Sequence, residues 1–130
     1  MKLPTVSAAK YLATAAVVAG LSACAVYPST SKPFRIQCER SGECDRIWAQ
    51  AKAWLALNST YRIQIANDNL IMTYGPFDSN GDAYTLLREK SATGPDRVII
   101  YARCDATIYG CFEDPTPSAK QLYQALTHQQ

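Results

Sequence analysis

Five cysteines, eleven carboxylates and a single histidine, His128, are the side chains with which this 130-residue chain could do chemistry. One imidazole excludes centres built on paired histidines. It also leaves Ser41, Ser59, Ser79, Ser91 and Ser118 without an obvious base to activate them. Glu113 with Asp114, and Glu39 with Glu43, are the acid pairs whose types would suit general acid and base work. Neighbouring acids on a solvated loop are far commoner than catalytic dyads, and Pro115 after the first pair marks the approach to a helix.

The first 23 residues carry Lys2 and Lys10, no acid, and an apolar run from Tyr11 to Leu21. Charge, a short apolar stretch and small residues in that order are the grammar of a secretory signal. The run is about 11 residues where a membrane-spanning helix needs about 20, so a permanent transmembrane anchor is the weaker reading. Leu21-Ser22-Ala23-Cys24 resembles the lipobox of bacterial lipoproteins. That resemblance implies cleavage before Cys24, a diacylglyceryl group on its sulfur and a fatty acyl chain such as palmitate on its new amino group. Ala25, where Asp would retain such a protein at the inner membrane, implies the outer membrane, with the domain facing the periplasm. Residues 24–33 contain Pro28 and Pro33 among small polar residues and are expected to form a flexible tether.

Without Lys2 and Lys10 the chain keeps 11 basic and 11 acidic side chains. A neutral domain lacks the cationic footprint selected by phosphate backbones, which argues against nucleic acid as a partner. Cys38, Cys44, Cys104 and Cys111 remain, an even count in an exported domain of about a hundred residues, and two disulfides are expected. The count alone allows three pairings. The preferred one, Cys38 with Cys44 and Cys104 with Cys111, staples two short loops. A four-thiolate zinc site needs Cys-x-x-Cys knuckles that are absent, and a redox pair usually has two residues between its cysteines, so neither a metal nor another cofactor is expected. Asp78-Ser79-Asn80-Gly81-Asp82, with Glu89 twelfth from Asp78, resembles a calcium loop. Its glycine stands fourth instead of sixth and Leu86 and Leu87 belong to a strand, so a plain turn is the expectation.

The elements that must position these groups follow from periodicity. Phe34 to Gln37 alternates as a first strand. Ile47, Trp48, Ala51, Trp54 and Leu55 define an amphipathic helix over 45–57, with Trp54 on its buried stripe and Trp48 toward the margin. Residues 61–66 and 70–74 alternate around Asn67-Asp68-Asn69 as a hairpin, and strands over 83–90 and 97–103 follow. Thr116 is expected to cap a last helix opening on Pro117, with Ala119, Leu122, Tyr123 and Leu126 on its apolar stripe. Residues 34–130 thus read as one α+β domain of strand, helix, four strands and helix. A single antiparallel sheet of four to five strands, with both helices packed on one face, satisfies that order. Element order and the hairpin closing on Thr73 resemble the helix-grip domains of envelope lipoproteins.

Eight tyrosines are present. Tyr74, Tyr84 and Tyr101 are the candidates for a protein-binding surface on the uncovered sheet face, the alternative being that they line the core edge with hydroxyls in water. Ile108 and Tyr109, in the loop between Cys104 and Cys111, are the candidates for a rigid inhibitory or ligand-binding probe. The sequence therefore points to a non-enzymatic lipoprotein, held on a lipid bilayer through acylated Cys24 and binding an envelope protein. An inhibitor or small-ligand binder is the alternative, and a carboxylate-dependent hydrolase the least favoured.

Overall fold

A computed structural model of the protein describes residues 27–77, 81–104 and 110–128. Cys24, Ile108, Tyr109 and the stretch 78–80 lie outside the described residues. The elements run β1 (Phe34–Cys38), α1 (Glu43–Asn58), β2 (Ile63–Ala66), β3 (Leu70–Thr73), β4 (Ala83–Glu89), β5 (Asp96–Arg103) and α2 (Thr116–Thr127). The five strands form one antiparallel sheet in the order β1-β5-β4-β3-β2. The fold is the α+β arrangement expected from the element order.

Helix α1 starts two residues before the periodicity suggests. Gly42 adopts φ 75°, a left-handed conformation that a side chain would strain. Glu43 then turns its carboxylate back to accept the Arg40 N–H at 3.1 Å, closing the turn that leads into the helix. Ile47, Ala51 and Leu55 recur at helical spacing and are fully buried. Each apolar side chain of leucine size removed from water contributes about 1.5–3 kcal/mol. Trp48 and Trp54 exchange their expected places. Trp48 is the buried one and donates its indole N–H to the Asn67 carbonyl at 2.8 Å, whereas Trp54 is half-buried and meets Tyr84 edge-on at 5.7 Å.

Ala119, Leu122 and Leu126 of α2 join Ile47, Ala51 and Leu55 against Ile36, Ile71, Leu86, Val98 and Ile100 in one core. Both helices therefore cover the same face of the sheet. The capping expectation for α2 is corrected: Asp114, two residues upstream, accepts the Thr116 N–H at 2.9 Å, while Thr116 is itself the first helical residue. An Asp ahead of a proline is a turn-forming signal whose carboxylate reaches a backbone N–H two residues on.

Residues 61–66 do not keep the strict alternation read from the sequence. The β2–β3 ladder shifts register between Ile63 and Ile65. One extra residue in a strand puts the side chains on either side of it on opposite faces. Ile63 opposes Thr73 beneath the helices, while Ile65 opposes Met72 on the other face. The turn between the strands forms as expected, Asn67 Oδ1 accepting the N–H groups of Asn69 and Leu70.

The expected tether is also corrected over its described part. Tyr27 and Cys111 exchange two backbone hydrogen bonds of 2.9 and 2.8 Å, and Cys104 donates its N–H to Ser29. Ser31 donates its N–H to the Ala102 carbonyl, and its hydroxyl accepts the Ala102 N–H at 2.9 Å. Residues 27–31 are thus laid against the end of β5. Unpaired N–H and C=O groups there offer hydrogen bonds that composition alone does not reveal.

Candidate functional site

The sheet has a second face, and cross-strand register places its side chains. Residues directly opposite one another in an antiparallel pair point to the same side. Ile65, Met72, Thr85 and Tyr101 make one row across four strands, and Leu70, Leu87, Ile99 and Arg35 make the next. None of them belongs to the core under the helices. Ile99, mid-row between Leu87 and Arg35, is 4% exposed, and the other apolar members are half-buried. Glu89, Arg97 and Gln37 form a third row at one end, and Ala83 with Arg103 a short one at the other.

The result is an apolar centre rimmed by arginine. Arg97 is held by Glu89 at 2.6 Å. Arg35 and Arg103 form no ion pair among the described residues, and the Nε of Arg103 is buried without a hydrogen-bond partner there. Glu89 is the one carboxylate in the four rows. Tyrosine, methionine and arginine around aliphatic side chains are the residue types enriched in protein interfaces.

The tyrosine candidates separate. Tyr101 lies on the open face. Tyr74 is exposed and continues the β3 alternation on that side, its N–H donated to the Arg62 carbonyl. Tyr84 is removed from the candidate surface: it is buried under the helices in the core beside Trp54. Alternation settles this, because Tyr84 stands one residue from Ala83 and Thr85, which face the other way. The bulge at 63–65, which brings Ile65 into the site, carries no sequence signal beyond two isoleucines with Gln64 between them.

Cys38 is bonded to Cys44 and Cys104 to Cys111, with Cα separations of 5.3 and 6.0 Å, the preferred pairing of the three. The first staples the end of β1 to the start of α1. The second joins Cys104, just past the end of β5, to Cys111, the residue that pairs with Tyr27.

Four of the carboxylates, Glu43, Asp82, Glu89 and Asp114, are engaged structurally. Glu43 is buried, with ion pairs to Arg40 and Arg46 at 3.7 and 3.8 Å, whereas Glu39 is exposed. Both acids line an open cleft of about 780 Å³ between β1 and α2, together with Arg35, Gln37, Arg40 and Tyr123. Asp114 accepts the Thr116 N–H at the start of α2, and both Asp114 and Glu113 are exposed. Asp82 accepts the Ser118 hydroxyl at 2.6 Å. Glu89 pairs with Arg97 at the far end of β4 from Asp82, about 20 Å away at the rise of a strand, so the two cannot share one cation. Among the described residues, no group of three His, Cys, Asp or Glu converges as a metal site, and no helix is long and apolar enough to cross a membrane.

These environments set a pH dependence. The Arg40 N–H holds the Glu43 carboxyl below its usual range, and the hydrogen bonds from Thr116 do the same for Asp114. Their contribution is present above the ordinary carboxylate pKa and lost as pH falls through their depressed values. Asp82 moves the other way, since burial raises its pKa against the Ser118 hydrogen bond. Its folded state holds the proton more tightly than the unfolded one, so it weakens the fold as pH rises through the carboxylate range. Asp82→Asn is therefore expected to raise the denaturation midpoint at pH 7 and leave it nearly unchanged near pH 3. Equal shifts at both pH values would contradict the assignment.

Comparison with protein-family models, with curated proteins and with solved structures finds no match to this chain.

Proposed function

We propose that this chain is a periplasm-facing lipoprotein of the outer membrane, anchored through acylated Cys24, that binds an envelope protein through the open face of its sheet and catalyses no reaction. Two supports are independent. The lipobox-like Leu21-Ser22-Ala23-Cys24 and the export grammar before it favour the address. The observation that carries the binding role is the pair of apolar rows through Met72, Leu87, Ile99 and Tyr101, bordered by Arg35 and Arg103 and covered by neither helix. The commitment of Glu43 and Asp114 to helix starts weighs against a hydrolase.

Photo-crosslinking amino acids at Met72, Tyr101 and, as a control, the exposed Lys52 of α1 test this in living cells. Positions 72 and 101 are expected to give the same discrete protein adduct and position 52 none. Leu87→Glu should abolish the adduct while the variant keeps both disulfides and its folded yield. Adducts of equal strength from all three positions would contradict the reading. An adduct from position 109 alone would transfer the function to the loop between Cys104 and Cys111.

A further inference from the structure

The described N-terminal segment meets the sheet at the end of β5. Tyr27 is pinned to Cys111 by two backbone hydrogen bonds, and Ser29 and Ser31 are pinned to Cys104 and Ala102. Cys24 lies three residues before Tyr27, and three peptide units span at most about 11 Å in any conformation. Whatever holds Cys24 therefore lies within about 11 Å of Tyr27, on the side of the domain end that carries Tyr27, Cys111, the last residue of β5 and the first of β4. The opposite end, where the turn 91–95 joins β4 to β5, stands about 20 Å farther off at the rise of a strand. At the near end Phe112 follows Cys111 directly and is 77% exposed, and Tyr27 is itself exposed. An exposed aromatic pair at the point where the chain departs has the amphipathic character that suits the boundary between headgroups and acyl chains.

From this we infer that the Tyr27–Phe112 end of the domain is seated on the lipid bilayer itself, with the turn 91–95 directed away from it; the inference rests on the acylation of Cys24 proposed above. Glu113 beside it and Arg103 at the end of β5 give this end both signs of charge, so the aromatic side chains carry the contact. The contact is expected equally on zwitterionic membranes and only when the acyl anchor holds the domain there. It also leaves the open face lateral to the anchored end, with its arginine rim reachable by a membrane-associated neighbour.

The test uses full-length protein expressed with its signal, purified with its acyl groups and reconstituted into phosphatidylcholine vesicles containing lipids brominated near the headgroup. Phe112→Trp and Thr93→Trp each place a new indole on an exposed position, one at each end. Relative to the unsubstituted protein, the added emission at 112 is expected to be blue-shifted and largely quenched, and that at 93 unshifted and unquenched. A protein that floats with the vesicles and carries the acyl mass, yet is quenched no more at 112 than at 93, overturns this orientation alone. A protein without the acyl mass that stays off the vesicles overturns the anchoring reading and this one together.

Discussion

Trp48→Ala is expected to lower the stability of the domain by about 3–5 kcal/mol, the range for truncating a buried tryptophan, when unfolding by denaturant is followed with both disulfides intact. The indole is 5% exposed and sits where α1 crosses the sheet beside Ala51 and Leu55. Its N–H also ties the helix to the β2–β3 turn through the Asn67 carbonyl. Alanine there opens a cavity that a small domain cannot refill and removes that link. Trp48→Phe separates the two effects, because it keeps most of the apolar contact and loses only the hydrogen bond, a loss of about 1 kcal/mol plus a modest packing defect. A loss below about 1 kcal/mol for Trp48→Ala would show that α1 is not fixed to the hairpin in this way.

The element order and both helices are legible in the sequence because each rests on a local signal, and short loops make the observed disulfide pairing the preferred one of three without deciding it; the seating of β1 beside β5 has no such signal. Val98 and Ile100 alternate with Arg97 and Ile99, the 67–69 turn is built from Asn and Asp, and each cysteine pair closes a short loop. The errors occur where one residue's role depends on a partner distant in sequence. Trp48 and Trp54 are both compatible with the apolar stripe of α1, and only the position of the Asn67 carbonyl decides which is buried. Tyr84 looks like a surface tyrosine until register with Ala102 places it beneath the helices. Tyr27 to Ser31 have the composition of a linker, and the free hydrogen-bonding groups at the end of β5 convert them into an added edge. The open face was legible only in outline. Its aromatic and aliphatic members alternate correctly along β3, β4 and β5, but the bulge that turns Ile65 outward is a backbone event without a residue signature.

The largest functional effect is expected at Cys24. A single acyl chain gives reversible membrane binding, and each buried methylene adds about 0.8 kcal/mol, so several chains on one residue make release negligible. The attachment proposed for Cys24 would present a membrane neighbour, not a diffusing substrate, to the open face and would hold the Tyr27–Phe112 end against lipid. Cys24→Ala removes the sulfur proposed to carry the diacylglyceryl group and is expected to leave the folded domain untouched, since the two disulfides use the other four cysteines. Metabolic labelling with radioactive palmitate, followed by isolation of the protein from membrane and soluble fractions, reads this directly. The account predicts label in the wild-type protein, recovered with outer membrane, and none in Cys24→Ala; unlabelled wild-type protein recovered in a soluble fraction would contradict it.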